Sequence, residues 1–195
     1  ISVPEDLSGT GYKYRIRNDR EYLQQPYDMP RIDPFSPQLS VSYGPGGSRT
    51  YHSLVRPADR FSWTCKHLDR PDPHAPMSIY ELHLSTFWDG NYREIAQKIV
   101  EHIGYLGFTH VQIMPPFQTP IHESWGYVVG CPYAINERYG SVEDFCWLVN
   151  HLHEADIGVI VDVPLGFGIQ DWDCGLANYD GTNLYHHDGP RGWNN

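Results

Sequence analysis

Taken as apolar and polar positions, the chain changes pattern near residue 76. Before that point GYKYRIR sets Tyr12, Tyr14 and Ile16 against Lys13, Arg15 and Arg17, the period-two alternation of a half-buried strand. RTYHSLV predicts a second strand. Proline-rich stretches lie between and after them: QQPYDMPRIDPFSPQ, YGPGGS and RPDPHAP. In the last of these Pro71, Pro73 and Pro76 bias the backbone toward extended forms, which marks a linker over 71–77. Two strands are marginal on their own, so nothing before residue 76 completes a core, and the region reads as the tail of a β-sandwich.

From Ser78 onward strands alternate with helices. SIYELHL is the first strand; Asn91 caps a helix, with Glu94 completing a capping-box pair. Ile95, Ile99, Val100 and Ile103 fall at helical spacing, and Gly107 is the stop. THVQIM is the second strand, ended by Pro115 and Pro116. Ser141 caps a second helix, whose apolar stripe is Val142, Phe145, Leu148, Val149 and Leu152. In the third strand, GVIVDV, four β-branched residues surround Asp162 and predict a strand buried on both faces. An unpaired buried carboxylate costs several kcal/mol, so Asp162 belongs where the strand ends and meets something. The order βαβαβ implies parallel strands with right-handed crossovers. The spacing fits either a doubly wound sheet or the opening of a (β/α)8 barrel.

Composition narrows the partners. A net charge of −10 with 14 scattered basic residues excludes a phosphate-neutralising surface for nucleic acid. No apolar run approaches the about 18 residues of a membrane helix. The N-terminus, ISVPEDLSG, carries no secretory signal and no initiator Met, in keeping with a start inside a longer protein. Cys65, Cys131, Cys146 and Cys174 form no C-x-x-C pair and read as free thiols of a cytoplasmic protein. The 14 tyrosines and 6 tryptophans supply core, interface or the faces on which sugars stack.

In both candidate folds ligands lie off the carboxyl ends of the strands. Three features converge there: Met114-Pro115, the long loop from Phe117 to Arg138, and Asp162. The loop carries Trp125-Gly126-Tyr127, where Gly126 lets the backbone turn tightly between two rings. The bland alternatives are a hydrophobic plug for the rings and a backbone-capping role for the acid. His151 and His153 are two apart on a helix and point in different directions, so no metal site is expected. No glycine-rich phosphate motif follows any strand, and no cofactor is expected.

MSIYELHLSTF, LGFTHVQIMP, SWGYVVGCPYAINERYGSVEDF, GVIVDV and GLANYDGTNLYHHDGPR together resemble the α-1,4-glucan (glycogen) branching enzymes of the α-amylase superfamily. The block from Tyr179 to Thr182, followed by Leu184-Tyr185 and Asp188-x-Pro190-Arg191, is the discriminating piece. Residues 10–57 are similar to the end of the β-sandwich carbohydrate-binding module that precedes the barrel in that family. The resemblance implies an α/β fold: the first three βα units of a (β/α)8 TIM barrel over 78–195, preceded by the C-terminal part of the module over 1–70. It implies an enzyme that cuts an α-1,4 glucan and rejoins the piece through an α-1,6 bond with retention. Such chemistry needs a nucleophile and an acid/base about 5 Å apart. In the family these sit on later strands, so no catalytic residue is expected within this chain.

The resemblance assigns Tyr127 to packing against the sugar on the non-reducing side of the cleavage point, with Trp125 beside it. It makes Asp162 an acid that supports the site without being the nucleophile. The family continues from that acid to a histidine; here Phe167 stands in its place, which removes a donor. The implied partner is an α-glucan such as glycogen or amylose. Two alternatives stand beside this reading. One is a non-catalytic glucan-binding relative, favoured by Phe167, and the other is a different hydrolase or transglycosylase of the superfamily.

Overall fold

The computed structural model describes residues 6–20, 27–56, 61–65, 74–164, 171, 173–185 and 187. Phe167 and the segment from Asp188 to Arg191 lie outside the described residues, as does 71–73 of the expected linker. In chain order the strands are β1 (Gly11–Tyr12), β2 (Tyr14–Asn18), β3 (Tyr27–Arg31), β4 (Leu39–Tyr43), β5 (Arg49–Leu54) and β6 (Ile79–Leu82). Helices α1 (Leu84–Phe87) and α2 (Tyr92–Leu106) follow, then β7 (His110–Ile113), β8 (Phe117–Gln118), β9 (Cys131–Ile135), α3 (Val142–Glu154) and β10 (Gly158–Val161). The fold is mixed α/β, with one parallel sheet and several antiparallel pairings. Two compact units form.

The first unit to consider comprises the described residues of Pro57–Pro116 and Ile135–Pro164. Its sheet has the order β10-β7-β6, parallel throughout, with Leu82, Ile113 and Val161 level in the register. Helix α2 starts as expected: the Asn91 side chain accepts from the amides of Arg93 and Glu94, and the Glu94 carboxylate accepts from the Asn91 amide. It stops where Gly107 takes φ 76, a left-handed conformation that costs glycine nothing. A second capping box, Ser141 with Asp144, opens α3. Ile95, Ile99 and Ile103 of α2 and Leu148 and Leu152 of α3 share one apolar core with Leu82, Val111 and Ile113 of the sheet. The buried Tyr92 hydroxyl donates to the Asn136 carbonyl at 3.0 Å, which meets the need of a polar group taken from water.

One expectation fails here. β10 is half-buried along its whole length rather than buried on both faces. The reason is its place in the sheet: β7 is the central strand, and β10 is an edge among the described residues. β-branched composition describes a strand that suits a pleated surface; it does not count its neighbours.

The second unit comprises the described residues of Ile1–Arg56, Phe117–Ala134 and Leu165–Asn195. β1, β5 and β4 form an antiparallel sheet in the order β1-β5-β4, and β2 pairs with β3. The strand expected over GYKYRIR is broken at Lys13, between β1 and β2. There the Lys13 ammonium pairs with the Asp173 carboxylate. The long loop after β7 is also more ordered than its sequence suggests, because β8 pairs with β9 within it. The core missing from the N-terminal strands is completed from far along the chain: Ile32, Leu39 and Tyr51 pack with Cys131, Ala134 and Cys174.

Candidate functional site

In the parallel-sheet unit the three strand ends are aligned, and the ladder runs one residue past them. The Met114 amide donates to the Leu82 carbonyl at 2.9 Å and the Asp162 amide to the Ile113 carbonyl at 3.0 Å. His83, Met114 and Asp162 therefore form a row across the carboxyl edge of the sheet. Asp162 is half-buried, immediately beyond β10. His83 is half-buried as well, and burial first, then the charge of Arg138, holds its imidazole below the ordinary 6.5. A neutral imidazole both donates and accepts a hydrogen bond. His83 was missed by pattern reading, although it follows IYEL as Asp162 follows GVIV. A cavity of about 700 Å³ lies along β6 and α2, with Tyr80, His83, Phe87, Trp88, Lys98 and His102 among its walls.

In the β-rich unit the segment Trp125-Gly126-Tyr127 is a tight turn leaving a 3-10 helix over His122–Ser124. Trp125 takes φ 57 and Gly126 φ 87. The first value is strained for a bulky side chain, and the second is natural for glycine alone. The Tyr127 amide donates to the Ser124 carbonyl at 3.0 Å, and the Ser124 hydroxyl donates to the Ile121 carbonyl at 2.6 Å. From β5 the Arg49 guanidinium donates to the Pro120 carbonyl at 2.7 Å. The turn leaves Trp125 52% exposed and Tyr127 half-buried. Trp125 and Tyr127 thus share one turn, while Asp162 belongs with His83 and Met114 in the other unit. Among the described residues no group of three or more His, Cys, Asp or Glu could hold a metal ion.

Residues 58–165 match the family model of the alpha amylase catalytic domain. The chain belongs to that family. It is 45% identical over 193 residues to the 1,4-alpha-glucan branching enzyme GlgB of Rhodococcus jostii (strain RHA1), covering 98% of this chain and 25% of the relative. The GlgB enzyme of Thermobifida fusca (strain YX) is 48% identical over 118 residues, 60% of this chain and 16% of its own length. That of Myxococcus xanthus (strain DK1622) is 36% identical over 201 residues. The chain thus spans about a quarter of the length of most of the curated relatives it matches. A solved structure from Salmonella typhimurium, assigned as an alpha amylase, superposes with a TM-score of 0.64 at 22% identity over 85% of this chain and 27% of that one. That likeness speaks to the fold. The resemblance drawn from the motifs agrees with these relatives. No helix among the described residues is long and apolar enough to cross a membrane.

Proposed function

We propose that this chain is part of a cytoplasmic 1,4-α-glucan branching enzyme, which cleaves an α-1,4 glucan and re-forms the bond as an α-1,6 branch with retention. The observation that carries the reading is the set of GlgB relatives aligned over about 98% of the chain. In this reading residues 78–195 are the first three βα units of a (β/α)8 barrel, and 1–70 are the end of a carbohydrate-binding β-sandwich, joined through 71–77. The nucleophile and the acid/base lie on later strands of the full-length protein, about 5 Å apart as retention requires. The edge of β6, outermost in its sheet among the described residues, and the aromatic cavity beside it are then where the closing strand and helix of the barrel pack.

Within this chain the proposed roles are substrate contacts. Tyr127 packs its ring on a sugar, Trp125 offers a second face, and Asp162 accepts from sugar hydroxyls. Rings and carboxylates suit glucose units, which present apolar C–H faces rimmed by hydroxyl donors. Neutral His83, level with Asp162 on the sheet edge, adds a group able both to donate and to accept.

A second reading, a glucan-binding relative without catalysis, is favoured by Phe167 at the position where the family carries histidine. The test is to incubate the full-length protein with amylose and follow new α-1,6 anomeric protons by NMR. Branching by the wild type, and none by residues 1–195 alone, supports the enzyme. Phe167→His separates the readings further: restoring a hydrogen bond that strengthens with developing charge should raise kcat about ten- to a hundred-fold. Glucan binding with no α-1,6 product, in both wild type and Phe167→His, would establish the second reading.

A further inference from the structure

The most deeply buried charge among the described residues serves none of the roles above. Arg31, the last residue of β3, is 1% exposed. A guanidinium keeps its proton at any ordinary pH, so its burial has to be offset by hydrogen bonds. Two such bonds go to one segment: Arg31 Nη2 donates to the Gly175 carbonyl at 3.0 Å and to the Ala177 carbonyl at 2.7 Å. The guanidinium carbon also lies 5.2 Å from the centre of the Tyr179 ring.

The rest of that segment is held in the same way. The Asp173 carboxylate pairs with Lys13 and accepts from the Tyr51 amide of β5 at 2.6 Å. The Tyr179 hydroxyl donates to the Ile32 carbonyl at 2.7 Å, and Asn18 donates to the Asp180 carbonyl at 2.9 Å. Gly181 takes φ 84 directly against Tyr27, where an added Cβ would meet the tyrosine side chain at 2.9 Å. Strands β2, β3 and β5 thus form a mould for residues 173–181, and Arg31 stands at its centre.

We infer that Arg31 is a positioning residue: it clasps the loop that follows Asp162 through the carbonyls of Gly175 and Ala177, and so fixes that loop for work on the glucan. The inference rests on the function proposed above. Arginine suits the task because one terminal nitrogen, with its two hydrogens, serves both carbonyls while the guanidinium stays within cation–π range of the Tyr179 ring. Lysine has donors enough for the carbonyls, on a flexible stem, and lacks the planar delocalised cation that sits beside the ring.

The experiment uses the full-length protein as wild type, Arg31→Met and Arg31→Lys. Amide exchange is read over 173–182, with helix α2 as internal reference, and branching of amylose is measured per folded molecule. In Arg31→Met, exchange over 173–182 should quicken at least about tenfold while α2 is unchanged. Its kcat should fall about tenfold with KM altered less than about twofold, the signature of misplaced rather than weakened binding. Arg31→Lys should recover part of both. Unchanged exchange over 173–182 in Arg31→Met would overturn the clasp, and a wild-type kcat per folded molecule would overturn the positioning role. Should the wild type form no α-1,6 linkage, the proposed function fails, and the exchange measurement still decides the clasp.

Discussion

In the parallel-sheet unit the buried positions include Ile95, Ile99 and Ile103 of α2 and Leu148 and Leu152 of α3, each four residues from the next on its helix. In the β-rich unit the largest fully buried side chain is an arginine, and the apolar cluster around Ile32, Leu39 and Tyr51 is small. The first unit is held by area removed from water, which is non-directional and tolerant of how each contact is made. The second is held by side chains donating to particular carbonyls, which is directional and leaves little freedom in how the loop runs. A directional lattice suits a region that has to hold loops in one shape.

The sharpest test of the apolar side is Ile99→Ala, at a position with no exposed area. It should cost about 2–5 kcal/mol, read by urea denaturation, because deletion leaves a cavity in a packed core. A cost under about 1 kcal/mol would break the comparison, since it would mean the core collapses as a soft one does. On the polar side Gly181→Ala should cost more than about 1 kcal/mol, from the positive φ together with the Tyr27 clash, measured by the same titration. Neutral behaviour there would mean that the mould is looser than its hydrogen bonds imply.

Next in size are the caps. Asn91→Ala and Ser141→Ala should each cost about 1 kcal/mol, and Asn91→Asp should cost far less, as seen in the midpoint of thermal melts. The smallest expected effect is a pH dependence. The folded pKa of His83 lies below its unfolded 6.5, so the unfolded chain takes up the proton first as pH falls. Stability is therefore full above about pH 6.5 and declines as pH drops toward the folded value. His153, also lowered by burial, titrates in the same direction. His83→Gln should flatten the melting temperature between pH 7 and pH 5 in part, leaving the His153 share; an unaltered slope would assign the whole effect elsewhere.

The two units also differ in how much of them can be read from sequence. Helices α2 and α3 were legible down to their caps, because Asn91 with Glu94, Ser141 and Gly107 act on amides and carbonyls within a turn. Asp162 was legible as a strand-end acid for the same reason. The break at Lys13 was not, and the partner its ammonium finds there, Asp173, lies 160 residues along. Arg31 gave no signal either: the carbonyls it donates to lie 144 and 146 residues away, and every residue type possesses such a group. The exposure of β10 depends on which strands neighbour it, a property of the sheet rather than of GVIV.

Trp125 draws two pressures on a protein into opposition. A large side chain at φ 57 occupies a conformation that glycine enters freely, so Trp125→Gly ought to raise the melting temperature. A campaign to toughen this protein by replacing its strained non-glycine positions would begin there. On the proposed function it would also strip away an exposed ring that meets the sugar. The hardier molecule would be the poorer enzyme, and the same degrees of phi would account for both.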